Sequence, residues 1–183
     1  MAADGAGNAV SLIQSVYYGF GSGILDPTTG VVLHNRGAFF SVEEGSPNVL
    51  EGGKRPGHTL MPVLVRRGGR LVGVHGTMGG SAQAQIHAQL ILRTARGESP
   101  ADAVSGARFV VGGLEPGGRA DLVLAEPGCG PDAERAWAAA GQDAHRLAEL
   151  EEETGHAQLI RIGADGALRA ASDPRADGAA LAG

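Results

Sequence analysis

The stretch of this sequence best suited to chemistry is Gly76-Thr77-Met78-Gly79-Gly80-Ser81. It directly follows a β-type run and leads into residues 82–96, where Ile86, Leu90 and Ile91 recur on one helical face. A glycine turn between a strand and a helix leaves backbone N–H groups bare at the positive end of the helix dipole. Such a turn holds an anion, either a bound phosphate or the charge that develops on a carbonyl oxygen during acyl transfer. The stretch has no GxGxxG spacing, and no Lys follows the glycines as a phosphate loop requires. A tight connection in which any side chain would clash accounts for the same glycines, so both readings stand.

Other candidates are weaker one by one. Arg36 follows a short β-type run at 31–34 and precedes a long irregular stretch, where a guanidinium can pair a substrate carboxylate. Tyr17 and Tyr18, the only tyrosines, flank the glycine-rich segment 19–30. His58-Thr59, just after Lys54-Arg55-Pro56, can line a pocket, although a structural histidine explains the position equally well. No two of the six histidines stand four apart, and HExxH is absent. Cys129 is the only cysteine, so a disulfide within the chain is excluded, and no metal or cofactor is expected. The acidic run at 149–153 reads as a solvated face.

The elements that must position these groups are short and mixed. Residues 9–16 read as a strand after the turn Asp4-Gly5-Ala6-Gly7-Asn8. Residues 60–66 and 70–75 read as a hairpin around Arg67-Gly68-Gly69. Ser99-Pro100 opens a helix, with Ser as cap and Pro in the first turn. Residues 108–111 and 120–124 read as strands, and 131–140 as a helix stopped by Gly141. Segments 157–162 and 168–171 flank the turn Ala164-Asp165-Gly166. The expectation is one α+β domain over residues 1–183, with no repeat and no linker.

Composition narrows the function. With 15 basic against 20 acidic residues, the net charge is −5, without the basic footprint of a nucleic-acid binder. No apolar run reaches the ~20 residues of a membrane-spanning helix. Neither a nucleic acid nor a membrane is therefore an expected partner. Glycine accounts for 31 of 183 residues and alanine for 30, so a third of the chain contributes little apolar area. That thins the core the chain can build alone. The single unpaired Cys129 leans weakly toward a cytoplasmic location, which is otherwise unknown.

Read in order, the pieces resemble the small subunit of the gamma-glutamyltranspeptidase family. The residues that carry the likeness are Asp4 to Ser11, Gly19-Phe20-Gly21-Ser22-Gly23, Pro47-Asn48, Gly53-Lys54-Arg55-Pro56 and Met78-Gly79-Gly80. Gly155-His156-Ala157-Gln158 and Ala171-Ser172-Asp173-Pro174-Arg175 complete it. The resemblance implies an N-terminal-nucleophile hydrolase, an α+β fold with an αββα four-layer sandwich of mostly antiparallel sheets. It also implies a precursor that cuts itself, leaving a large subunit as partner and an N-terminal Thr on the small one. That Thr attacks an amide with its own amine as base. The oxyanion then lies against the paired glycines, which match Gly79 and Gly80.

Two departures qualify the likeness. The family nucleophile would fall upstream of Met1, and no Thr occurs before Thr28, so this chain alone is expected to be inactive. The first few residues of a small subunit are read as missing. The residues that hold the glutamyl amine and carboxylate in true gamma-glutamyl enzymes are replaced here by Tyr17, Arg36, Phe39 and the pair His58-Thr59. Phe39 stands where an acid would meet the α-ammonium, which disfavours a glutamyl group and favours a carboxylate without one. Asn35-Arg36-Gly37-Ala38 and Arg55-Pro56-Gly57-His58-Thr59 look closer to the branch with oxamate amidohydrolase and cephalosporin-acylase-type enzymes. A small amide or carboxylate is the expected substrate. A non-catalytic pseudo-subunit that binds a small carboxylate is the alternative.

Overall fold

The computed structural model describes residues 1–112 and 119–183. Its contacts divide the chain into two compact units, one formed by Met1–Leu12 with Met61–Gly183, the other by Ile13–Leu60. Strands β1 (Ala2–Ala3) and β2 (Ala9–Val10) form a small antiparallel hairpin in the first unit. Its turn is set by Asp4, whose carboxylate accepts from the Ala6 and Asn8 N–H groups and from the Asn8 side chain. The strand expected over 9–16 stops at Val10. Past that residue Ser11 donates its hydroxyl to the His75 carbonyl at 2.8 Å instead of continuing the ladder.

The second unit is built on turns. Strands β3 (Leu25–Asp26) and β4 (Val31–Val32) pair antiparallel, and a 3-10 turn covers Arg36–Phe39. The rest is irregular, in keeping with the absence of any sustained period from 37 to 57.

The first unit carries the larger sheet and the helices. Strands β5 (Val63–Arg67) and β6 (Arg70–Met78) form the expected hairpin, with Gly68 and Gly69 both at positive φ in the turn. Helix α1 (Gln83–Ala95) follows, then α2 (Pro100–Ser105), in which the Ser99 hydroxyl accepts from the Asp102 N–H at 3.1 Å. Next come β7 (Phe109–Val111), β8 (Leu122–Ala125), α3 (Pro131–Ala139) and β9 (Asp143–Arg146). Strands β10 (His156–Ile162) and β11 (Leu168–Ser172) close the chain. The main sheet has the order β11-β10-β6-β5, antiparallel throughout, and a three-stranded sheet has the order β7-β8-β9, its last pair parallel. The fold is α+β with mostly antiparallel sheets, as the sequence predicts.

Two clusters make up the core. Ala82, Ile86 and Leu90 of the α1 segment pack with Ala103 and Val104 of α2, Val110, and Ala157 and Leu159 of β10. Ile91, expected on the same helical face, is 36% exposed, because the stripe is only two residues per turn wide. Val123, Ala125 and Trp137 form the second cluster, with Phe109 edge-on to Trp137 at 5.1 Å between ring centroids. Between the helices and sheets lies a fully buried charged group. Asp173 pairs with Arg108 and Arg175, and Glu126 pairs with Arg175. Asp173 also accepts from the Ala157 N–H at 2.7 Å, and Glu126 from Thr154 Oγ1 at 3.0 Å. Two cations therefore meet two carboxylates, and the carboxylates are further hydrogen-bonded, which is the condition under which buried charge is tolerated.

Candidate active site

Strand β6 delivers the glycine loop. The strand ends at Met78, Gly79 and Gly80 turn the chain, and a 3-10 turn (Gly80–Ala82) runs into α1. Gly80 sits at φ +52, in the left-handed region, with open space where a Cβ would point. No side chain caps either the short turn or α1, so their first N–H groups are left to other acceptors. The loop is gripped from behind by Gly155, at the start of β10. A Cβ on Gly155 would collide with the Met78 carbonyl, lie 2.5 Å from Ile86 Cδ1 and 3.3 Å from Gly79 Cα. One on Gly79 would lie 2.8 Å from Ile86 Cδ1. The two bare backbones thus pack on each other, with Ile86 wedged against both.

Side chains fix the helix side of the loop. The buried Thr77 hydroxyl donates to Gln83 Oε1 at 3.1 Å. His87 Nε2 lies 3.1 Å from the same hydroxyl and 3.0 Å from the Met61 carbonyl. The carbonyl can only accept, so the His87 proton is on Nε2. Burial pushes the His87 ring down from its ordinary value, against the Met61 hydrogen bond that favours the charged form.

The second unit gathers Tyr17, Arg36 and Phe39. The Arg36 guanidinium carbon stands 3.9 Å from the Tyr17 ring centroid and 5.4 Å from that of Phe39. The two rings meet edge-on at 5.9 Å. Tyr17 is held at φ +80, an uncommon conformation for a bulky residue, and its N–H donates to Ser15 Oγ at 3.0 Å. Stacking of this kind holds a guanidinium by its flat face and leaves its in-plane donors free. Arg36 Nη1 is buried with no hydrogen-bond partner in the described residues. Asn48 fastens the cluster to the next segment. Its side-chain nitrogen donates to the Phe39 carbonyl at 2.6 Å, and its oxygen accepts from the Gly57 N–H at 2.8 Å. Gly57 lies so close to Phe39 that a Cβ there would be 3.0 Å from the ring. His58 is exposed and Thr59 half-buried, one and two residues along.

Tyr17, Arg36 and Phe39 are therefore brought together, with His58 and Thr59 tethered to them through Gly57, while Gly79 and Gly80 belong to the other unit. Sequence reasoning missed the Gly155 contact, although it noted the segment, because close backbone approach leaves only a bare glycine as its signal. It also missed the buried pair His75 and His87, whose rings stack at 6.2 Å. Their positions on a strand and a helix twelve residues apart carry no local pattern. Among the described residues no group of three or more His, Cys, Asp or Glu could hold a metal. No helix there is long and apolar enough to cross a membrane.

Comparison with known proteins places these features in context. The profile of the gamma-glutamyltranspeptidase family matches residues 1–183. The oxamate amidohydrolase proenzyme of Klebsiella pneumoniae is 39% identical, over 97% of this chain and 34% of its own length. The glutathione hydrolase-like YwrD proenzyme of Bacillus subtilis is 37% identical, also over 97% of this chain and 34% of its own. The chain thus spans about a third of the length of these relatives. A gamma-glutamyltranspeptidase structure from Pseudomonas nitroreducens superposes with a TM-score of 0.80 at 27% identity, covering 99% of this chain and 96% of that one.

Proposed function

The chain belongs to the gamma-glutamyltranspeptidase family of N-terminal-nucleophile hydrolases, and we propose that it is the small-subunit part of an amidohydrolase whose substrate carries a carboxylate without a neighbouring ammonium. In this reading the Gly79 and Gly80 N–H groups receive the negative oxygen of the tetrahedral intermediate, a contribution of several kcal/mol where donors are preorganised. A threonine hydroxyl attacks the amide carbon, the amine leaves with a proton, and water releases the acyl group. The first threonine in these 183 residues is Thr28, so this stretch by itself performs no turnover by that route. The partner is the large subunit of the same precursor. Two relatives are named proenzymes, and coverage of only a third of each supports a second, larger chain.

The observation that carries the substrate class is Arg36. A half-buried, stacked guanidinium whose Nη1 is buried and unpartnered among the described residues suits a ligand carboxylate. Phe39, at the position of the missing acid, gives an α-ammonium no carboxylate to pair with. His58 and Thr59 are assigned to the same substrate by their tether to Phe39. Oxamate, the carboxylate amide in the name of one relative, has this chemistry. Expression from the complete gene should give an enzyme that hydrolyses oxamate-type amides and leaves gamma-glutamyl-p-nitroanilide almost untouched. Arg36→Leu should lower kcat/KM for the carboxylate amide by about a hundredfold, the value of a lost charged hydrogen bond. Equal activity on both substrates would exclude the assignment. The unpartnered Arg36 Nη1 is equally consistent with a second reading, a pseudo-subunit that binds a small carboxylate through Arg36 without hydrolysing anything. Calorimetric binding with no turnover by the complete protein would select it.

A further inference from the structure

At the end of β6 remote from the glycine loop, arginines face each other. Arg67 lies directly opposite Arg70 across the β5–β6 ladder, and Arg161 directly opposite Arg169 across β10–β11. Like charges in opposed positions of an antiparallel pair destabilise it. Yet none of these four residues, nor Arg66, forms an ion pair among the described residues. Arg161 donates only to the Glu98 backbone carbonyl, at 3.3 Å, while the Glu98 carboxylate is taken by Arg93. Asp165 is the carboxylate at the rim of the space that Arg161 and Arg169 share, and it accepts from the Ala167 N–H. Five arginines with so little compensation stand out in a chain of net charge −5.

All but Arg169 border a cleft of about 480 Å³ between the sheet and the last turns of α1, within the range of small-molecule sites. Its walls are apolar where Val65 and Ile91 contribute, and Arg66 and Arg161 line its mouth from the sheet face that carries Gly73 and His75. His75 closes the inner end. The residue is 1% exposed and its Nδ1 is buried without a partner among the described residues. Gly73 leaves room beside the ring, since a Cβ there would sit 3.1 Å from His75 Nε2. A buried polar group without a partner is a feature that native interiors rarely keep without a reason. Cationic mouth, apolar walls and an unsatisfied ring at the inner end describe one kind of guest.

We propose that this cleft binds an organic anion with an apolar body, such as a medium-chain carboxylate or sulfonate. The headgroup sits between Arg66 and Arg161, which share the sheet face of Gly73 and His75, easing the opposition of Arg161 and Arg169, and the chain lies on Val65 and Ile91 toward His75. Arg70 and the glycine loop stand at opposite ends of a nine-residue strand, roughly 27 Å apart at the rise of an antiparallel strand. The site therefore does not coincide with the glycine loop.

The test is calorimetric titration of the protein expressed from its complete gene with sodium octanoate, octane-1-sulfonate, octylammonium chloride and 1-octanol. Octanoate and the sulfonate should bind at one site at least tenfold more tightly than octanol, and octylammonium should not bind. The double variant Arg66→Gln/Arg161→Gln should weaken octanoate at least tenfold while its unliganded melting temperature stays level or rises. Octylammonium binding as well as octanoate, or a double variant with undiminished affinity, would overturn the proposal. If the double variant does not melt cooperatively, the unaltered protein decides. Octanoate affinity must fall several-fold between 50 and 500 mM salt, as it does for a charge-held ligand, and an affinity indifferent to salt rejects the site.

Discussion

Gly155→Ala perturbs the loop that the chemistry depends on without touching any polar group. Two costs add. Gly155 sits at φ +73 and ψ 175, a region essentially reserved for glycine, where an L-residue is strained by about 1–3 kcal/mol. The new methyl must also be accommodated against the Met78 carbonyl and against Ile86 Cδ1, 2.5 Å away. The carbonyl belongs to a paired strand residue and yields little, so overpacking adds about 1–3 kcal/mol. A total near 4 kcal/mol should lower the melting temperature by roughly 8–16 °C for a domain of this size. Gly166→Ala is the control. It sits at φ +80 with nothing within 4 Å of its Cβ position, so only the strain applies and the drop should be about a third as large. Because the displaced carbonyl adjoins Gly79, kcat of the complete enzyme should fall at Gly155→Ala and hold at Gly166→Ala. Circular-dichroism melts and initial rates read both effects. Equal melting shifts for the two variants, or an unchanged kcat at Gly155→Ala, would refute the interlocked-glycine argument.

Other consequences follow from the same packing. Asp173→Asn leaves Arg108 and Arg175 under-compensated in the interior and should destabilise by about 3–5 kcal/mol in urea unfolding. Ser99→Ala removes the α2 cap and should lose about 1 kcal/mol. Burial, with the charge of His87 adding to it, pushes the His75 ring down to about 4 from an ordinary 6.5. Between those values the unfolded chain binds a proton that the folded one does not, so stability should fall as pH drops from 6.5 to about 4. At about 1.4 kcal/mol per pH unit the loss from His75 is near 3 kcal/mol. His75→Phe should flatten that part of the urea-midpoint profile, and a slope unchanged by the substitution would contradict the assignment. Glu126 adds to the acid side. Burial alone would raise its carboxyl, but hydrogen bonds from Arg175 and from the Arg108 N–H hold it below the usual range. Its contribution is present at neutral pH and lost as pH falls through that lowered value.

Much of the scaffold was legible because its signals are local. Arg67-Gly68-Gly69 between two β-type runs gave the hairpin, Ser99-Pro100 gave the start of α2, and the spacing of Ile86 and Leu90 gave α1. The strand from Ala9 was read too long because alternation alone does not tell where pairing ends. The hydroxyl of Ser11 bonds a carbonyl 64 residues away, and no window on the sequence contains both. The glycine loop and the Arg36 segment could be picked out as chemistry-bearing. That Arg36 lies flat on Tyr17, nineteen residues earlier, was not readable, since the turn that brings them together holds Tyr17 at an unusual φ. The buried group of Arg108, Glu126, Asp173 and Arg175 was hidden for the same reason. Charged residues read as surface until their partners, up to 65 positions distant, are known.

Self-processing is what most directly separates an amidohydrolase subunit from a binding protein, so the decisive measurement is intact mass and N-terminal sequencing of this protein from its native source. A chain that starts with threonine shortly upstream of Met1, and that co-purifies with a larger partner, is the predicted result. A chain that begins at Met1 or Ala2 with no partner would contradict the amidohydrolase, leaving carboxylate binding at Arg36 as the activity to measure.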